Sequence, residues 1–143
     1  MKVADILQHK GGHTVITAAE QSIKDTVALL HREKIGAVVV CDVEGRAVGL
    51  ISERDIVNGL ADRGAHILEL KVGDLMKTSI TSCKTDDNIV DLMATMTERR
   101  IRHIPVIEND KLKGIVSIGD VVKNRIAETE HEAELLREYI SSG

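Results

Sequence analysis

Two short stretches hold the residues best suited to chemistry: Gly49-Leu50-Ile51-Ser52-Glu53-Arg54-Asp55 and Gly114-Ile115-Val116-Ser117-Ile118-Gly119-Asp120. In each, a glycine and two apolar residues lead to a serine, and an aspartate follows three residues later. Serine with an acid at that distance is a helix-capping pattern. The hydroxyl accepts a backbone N–H of the first turn, and the acid reaches back to the serine's own N–H. The same geometry serves a ligand. The first turn of a helix offers unpaired N–H groups and partial positive charge, which suit phosphate or hydroxyl-rich groups. A carboxylate there can accept hydrogen bonds from two neighbouring sugar hydroxyls. A capping box favours the longer Glu or Gln as its acid, so an Asp chosen twice tilts toward a ligand. Capping alone remains the competing reading.

The other polar residues are weaker. Arg99 and Arg100 stand where a helix should end, and cations there offset the helix dipole. Arg102 and His103 fall past that end, in a predicted strand, where the dipole explains less. His103 also reads as a strand histidine with an ordinary hydrogen-bond partner. His9-Lys10-Gly11-Gly12-His13 reads as a polar surface loop, because two histidines without acids or cysteines in register seldom bind metal. Lys10 has the reach to meet a phosphate near Asp120. Cys41 and Cys83 are the only cysteines, with no CxxC spacing, so neither a disulfide framework nor a zinc signature is expected. No nucleophile stands beside a candidate base, so no catalytic residues are assigned.

The elements that must position these residues occur twice. Ile23-Lys24-Asp25 matches Ile89-Val90-Asp91, and Ile35 to Val40 matches Ile101 to Val106, both at an offset of 66. The two serine–aspartate motifs are 65 apart, since Asp120 follows Asp55 by that number. One residue is therefore lost in the intervening turn, where deletions are tolerated. Each half opens with a short extended segment, near Thr14 to Thr17 and Ile80 to Cys83. An amphipathic helix follows, with stripes Ile23, Val27, Leu30 and Ile89, Leu92, Met93, Met96, entered behind Ser22 and Asn88. Two strands come next, Ala37 to Cys41 with Ala47 to Ile51, and Ile104 to Ile107 with Leu112 to Val116. They turn at Glu44-Gly45 and Asn109-Asp110. A last helix opens at Ser52 or Ser117. The class is α/β (α+β): two pseudo-symmetric β-α-β-β-α repeats, residues 1–66 and 67–124, packed sheet to sheet. Residues 63–72 connect them. A helical tail occupies 125–143, with Ile126, Ala133 and Ile140 recurring every seven residues and Leu136 nearby, a seam suited to a second helix.

The chain has 143 residues, enough for a core without metal or disulfide support. Its one aromatic residue is Tyr139, and its net charge is −4. Ile, Val, Leu, Ala and Met must build the core, with Met76, Met93 and Met96 as filler. The acidic balance and missing aromatics argue against nucleic acid, which calls for basic surfaces and stacking platforms. No apolar run approaches a membrane span or the core of a signal peptide, so a cytoplasmic protein is expected.

The doubled pattern, closed each time by Gly-apolar-apolar-Ser-x-x-Asp, resembles the CBS-pair family, whose modules regulate enzymes such as IMP dehydrogenase and AMP-activated kinase. Thr97-Glu98-Arg99-Arg100-Ile101-Arg102-His103-Ile104-Pro105-Val106 is similar to the middle of such a domain, and Ser52 to Val57 resembles bacterial stand-alone members. The likeness runs from Val3 to about Lys123. It implies a regulatory module, not an enzyme, with two ligand clefts between the repeats. One cleft would use Ser117, Gly119 and Asp120, with adenine against Val15, Ile16, Thr17, Gly36 and Ala37, and phosphate at Arg102 and His103. The other would use Ser52, Arg54 and Asp55, with the base near Thr81, Ser82, Cys83, His103, Ile104 and Pro105. The implied ligand is an adenine nucleotide: AMP first, then ATP, ADP or NAD(H). The Asp120 cleft is expected to bind more tightly, because Arg102 and His103 stand where the first half has Gly36 and Ala37. A homodimer and an effector protein yet to be identified are the expected partners. The alternative is a dimerisation scaffold whose Ser/Asp pairs only cap helices.

Overall fold

The computed structural model describes residues 1–142, and each repeat folds around its own apolar cluster. After a lead helix α1 (Val3–Lys10), half one runs β1 (Ile16–Thr17), α2 (Ile23–Glu33), β2 (Ala37–Cys41), β3 (Ala47–Ser52) and α3 (Glu53–Arg63). A 3₁₀ turn (Ala65–Glu69) and α4 (Val72–Leu75) lead into half two. That half comprises α5 (Ile89–Arg99), β4 (His103–Glu108), β5 (Lys111–Ser117) and α6 (Ile118–Ser142). Strand order is β1-β2-β3, β1 parallel and β3 antiparallel to β2; half two has β4-β5, with Cys83 bridging Val106 in place of a first strand.

Local chemistry explains the matching helices. The Ser22 hydroxyl accepts the Asp25 N–H at 3.0 Å to start α2, and the Asn88 amide oxygen accepts the Val90 N–H at 2.7 Å to start α5. Both helices stop on a left-handed residue, Lys34 and Arg100, each at φ 55°. A side chain there costs energy that glycine would avoid, so the sequence gives no glycine signal at either end. The β4–β5 turn, Asn109-Asp110, has φ 52° and 63°, as a tight two-residue hairpin requires. The β2–β3 turn is longer and closes on the Asp42 carboxylate, which accepts the Glu44 and Arg46 N–H groups. The one-residue difference between the repeats lies in these turns.

Every residue of β2 is buried. Val38 and Val40 enter the half-one cluster, so Ala37, Val39 and Cys41 point the other way and are covered too. Pro105 is likewise buried between Ile104 and Val106, which both enter the half-two cluster. Two-sided burial is what sheet-to-sheet packing of the halves demands. One stripe differs from expectation: Val27 is 37% exposed and Thr26 is buried instead, at 1%. Val27 lines an open groove of about 600 Å³ between α2 and α3, a face that nothing among the described residues covers.

A third repeat unit escaped the sequence reading. Lys2-Val3-Ala4-Asp5-Ile6-Leu7 matches Lys71-Val72-Gly73-Asp74-Leu75-Met76, and both start a helix. Asp5 accepts the Lys2 N–H at 2.8 Å, and Asp74 accepts the Lys71 N–H at 3.0 Å. Each packs on the opposite half. Val3 and Ile6 belong to the half-two cluster, while Ile67, Val72, Leu75 and Met76 join half one. Packing thus crosses the boundary at 66/67, and residues 63–72 carry core as well as connection. The motif glycines make room for these segments: a Cβ on Gly114 would lie 2.6 Å from Leu7 Cδ2, and one on Gly49 2.5 Å from Met76 Sδ. No helix among the described residues is long and apolar enough to cross a membrane.

Candidate functional site

Both serine–aspartate pairs cap their helices. Asp120 Oδ2 accepts the Ser117 N–H at 2.9 Å, and Ser117 Oγ accepts the Asp120 N–H at 3.1 Å. Asp55 Oδ2 accepts the Ser52 N–H at 2.9 Å and its hydroxyl at 3.0 Å, while Ser52 Oγ lies 3.2 Å from the Asp55 amide. Capping engages one carboxylate oxygen of each aspartate. Asp120 Oδ1 accepts no hydrogen bond among the described residues, and Asp55 Oδ1 faces Lys77 Nζ at 3.4 Å. A capping aspartate therefore keeps acceptor capacity for something else.

Sheet register sets each motif beside the start of its neighbouring strand. Ser52 pairs with Ala37 and Ser117 with His103; the Glu53 N–H bonds Gly36 O at 2.9 Å, and the Ile118 N–H bonds Arg102 O at 2.8 Å. The halves meet here. A Cβ on Gly36 would sit 3.4 Å from His103 Cε1 and Nε2, and 3.3 Å from Glu53 Oε1. The half-one backbone and the imidazole are thus in contact across the junction, with room for little more than a methyl group between them. Burial pushes the His103 imidazole below its ordinary range; Glu53 and Asp120 oppose that shift, while Lys10 and Arg102 add to it. Gly36, His103, Ser117 and Asp120 thus gather at the junction, with Arg102 exposed at the rim.

Lys10 is the partner that completes the site. Its ammonium donates to Asp120 Oδ2 at 2.7 Å and to Ile115 O at 2.8 Å. Burial alone would raise the Asp120 carboxyl, but the Lys10 and Ser117 hydrogen bonds outweigh it and hold the group below the ordinary carboxylate range. The wall expected for a base is partly formed. Ile16 pairs with Val39, on the side of the sheet away from the half-one core, and is 50% exposed. Val15 packs on that core, Thr17 shares the core-facing register of Val40, and Gly119 is open to solvent.

The second site is assembled differently. Asp55, capped by Ser52, meets Lys77, and Thr81 Oγ1 accepts a hydrogen bond from Arg99 Nη1 at 3.0 Å. Ser82 and Arg54 are exposed. Strand alternation sends the Cys83 and Ile104 side chains into the half-two core, leaving Pro105 on the opposite face. Burial, with Asp87 adding to it, pushes the Cys83 thiol up to about 12. Both Cys83 backbone groups are spent on Pro105 O and the Ile107 N–H. Sequence reasoning missed Glu53 and Lys77 as site residues. The unrecognised lead-segment repeat, which carries Lys77 just past its end, was the available signal. No group of three or more His, Cys, Asp and Glu side chains able to hold a metal occurs among the described residues.

Comparison with known proteins agrees with this architecture. The sequence matches the CBS domain family over residues 3–62 and 72–127. It is 32% identical over 149 aligned positions to the mitochondrial CBS domain-containing protein CBSX3 of Arabidopsis thaliana, covering 99% of this chain and 72% of that one. The crystal structure of the CBS-domain containing protein ATU1752 from Agrobacterium tumefaciens superposes with a TM-score of 0.84 at 42% identity, over 87% of this chain and 99% of the other. The CBS domain pair of protein MJ0100, solved with 5-methylthioadenosine and S-adenosyl-L-methionine, shares the fold at a TM-score of 0.80 and 21% identity, over 90% and 98% of the two chains.

Proposed function

The chain belongs to the CBS-domain family, and on that premise we propose that it is a non-catalytic sensor binding an adenosyl ligand between its repeats. AMP is the favoured ligand, with ATP, ADP and NAD(H) as further members of the class. The carrying observation is the unused Asp120 Oδ1, on a carboxylate close enough to act on His103, whose imidazole in turn abuts Gly36 of the other half. A ribose diol on that carboxylate, a base along Ile16 and a phosphate toward Arg102 and His103 fill the junction from both halves. Because each half contributes, occupancy favours one relative placement of the two, which a protein partner can read. The adenosyl compounds held by the MJ0100 pair support the ligand class. The two buried thiols suit a reducing compartment such as the cytoplasm.

Thermal unfolding with AMP, ATP, NAD, S-adenosylmethionine and methylthioadenosine tests this reading. A ligand at 100 times its Kd adds about 2.7 kcal/mol, or roughly 5–10 °C. Asp120→Asn should abolish the shift for the preferred ligand. A flat response to all five compounds refutes the proposal and leaves the scaffold reading.

A dimer is the second part of the proposal. Val122, Ile126, Thr129, Ala133, Leu136 and Ile140 form a heptad stripe on α6, and Ile126, Leu136 and Ile140 are 53%, 61% and 70% exposed. In a parallel pair of such helices, Arg125 meets Glu130 of the other copy and Glu132 meets its Arg137. Both contacts are attractive in that orientation.

A further inference from the structure

The end of α1 is fastened to β5 and the first two turns of α6 by three contacts. Lys10 donates to Asp120 and to Ile115 O, as given above, and His9 Nδ1 lies 3.2 Å from Asn124 Oδ1. Asn124 Nδ2 in turn donates to Asp120 O at 2.7 Å. Beyond Lys10 the chain is loosely held: Gly11 has φ 84°, and neither Gly11 nor Gly12 has a neighbour within 4 Å of where a Cβ would stand. The fastening is local and rests on the aspartate assigned to the ligand.

A sugar diol engages a carboxylate through both oxygens. Asp120 Oδ1 is open, but Oδ2 already accepts two hydrogen bonds, from the Ser117 N–H and from Lys10. The Ser117 bond is part of the helix cap. The Lys10 bond is made by a flexible side chain that is 36% exposed. A second hydroxyl therefore enters by displacing Lys10. Lys10 and Arg102 already lie close enough to act on the His103 imidazole, so a short swing of the flexible side chain keeps the displaced ammonium in the site. It remains beside the position proposed for phosphate.

We infer that Lys10 is an exchangeable latch: it neutralises Asp120 in the empty cleft and transfers to the phosphate of an incoming nucleotide. The cleft thereby selects adenosyl ligands that carry a 5′-phosphate over neutral nucleosides. This rests on the adenosyl-binding reading above. A nucleotide replaces one ion pair with another. A nucleoside breaks the Lys10–Asp120 pair and returns nothing to the ammonium.

Lys10→Met keeps the length and apolar stem of the side chain and removes its charge. Calorimetric titration of wild type and Lys10→Met with AMP and with adenosine gives the test. AMP affinity should fall about threefold in the variant, because a roughly tenfold loss of the phosphate contact is offset about threefold by an Asp120 that no longer has to be freed from Lys10. Adenosine affinity should rise about threefold, because its competitor for Asp120 is gone. Lys10→Arg should keep the preference for AMP, and circular dichroism melts of each variant establish that it folds. Equal changes for both ligands, or none, overturn the latch while leaving adenosyl binding intact. Wild type that binds neither compound overturns the binding reading and the latch with it. In wild type, AMP binding should also alter hydrogen exchange of the amides at the end of α1, and saturating AMP without that change counts against the latch.

Discussion

Placing a methyl group at Gly114 should strike the lead helix before anything else. Gly114 lies in β5 with ordinary extended backbone, so alanine carries no conformational penalty there. Its Cβ would stand 2.6 Å from Leu7 Cδ2, with Leu7 Cδ1 and Cγ at 3.5 and 3.6 Å. Carbon atoms rest about 3.5–4.0 Å apart, so Leu7 must withdraw by about 1 Å. Leu7 packs half-buried on the half-two core, so it must leave its rotamer or push α1 outward. Overpacking of this kind costs about 1–3 kcal/mol, offset by roughly 0.4–1 kcal/mol from the less flexible unfolded chain. A net loss of about 1–2 kcal/mol is expected for Gly114→Ala. Leu7→Ala alone should cost about 1–2 kcal/mol through lost burial at a half-buried position. In the double variant the clash has nothing to strike, so the two losses should fall short of additivity by about 1 kcal/mol or more. Urea unfolding followed by far-UV circular dichroism measures this, because Tyr139, the only aromatic side chain, is 77% exposed in the tail and does not report on the core. Losses that add to within about 0.5 kcal/mol would refute the claim that the motif glycine exists to seat the lead helix.

Four further outcomes follow from the same geometry. His103 is held below its ordinary value by burial; the unfolded chain therefore takes up its proton first, and stability should drop as pH falls below 6.5. Melting temperatures at about pH 7.5 and 5.5 should diverge more for wild type than for His103→Gln, and an equal divergence would count against the shift. Glu53→Gln removes the acid facing His103, so AMP affinity should rise several-fold while adenosine affinity stays put; titration calorimetry decides. Cys83, with its thiol pushed up to about 12, and buried Cys41 should resist a thiol-specific reagent near pH 8. Their modification rate should follow unfolding in urea, and rapid labelling of the native protein would contradict that burial. Paired Ile126→Glu and Leu136→Glu substitutions should turn a dimer into a monomer by light scattering without a loss of helical signal. A wild-type protein that is itself monomeric would remove the seam proposal.

The repeats, turns and long tail were legible because each leaves a local mark: a capping serine or asparagine, a β-rich run, a helix-forming stretch without Gly or Pro. The lead helices were not. α4 has four residues and α1 eight, too short for apolar periodicity to stand out. Their fastening is also tertiary, each packing on the half it does not precede. The site was half legible for the same reason. Ser117 and Asp120 announce themselves through spacing, and Arg102 and His103 through adjacency to a helix end. Lys10 is 110 residues from Asp120, and only the seating of α1 on β5 brings it there. Cys83 and Ile104 show the converse: the sequence points to both for the second cleft, and the two-residue alternation of the strand turns their side chains into the core.

Capping and ligand binding are competing explanations of one motif taken alone, yet in the proposed binding mode the first becomes a condition of the second. A carboxylate free to rotate would lose conformational freedom on meeting a diol. Asp120 is already oriented, because Oδ2 is tied to the Ser117 N–H, and the Asp120 N–H is tied back to Ser117 Oγ. The cap therefore aims Oδ1 at no cost to the ligand. Asp55 is aimed in the same way, but Lys77 lies across its remaining oxygen at 3.4 Å rather than sharing the capped one. The difference between the clefts thus lies in where each lysine stands. At Asp120 the ligand finds an open oxygen first and displaces a cation afterwards; at Asp55 the cation must move before the first hydroxyl can bond. On this argument the Asp120 cleft fills first, and Lys77→Met should strengthen the second site for nucleosides while leaving the first unchanged.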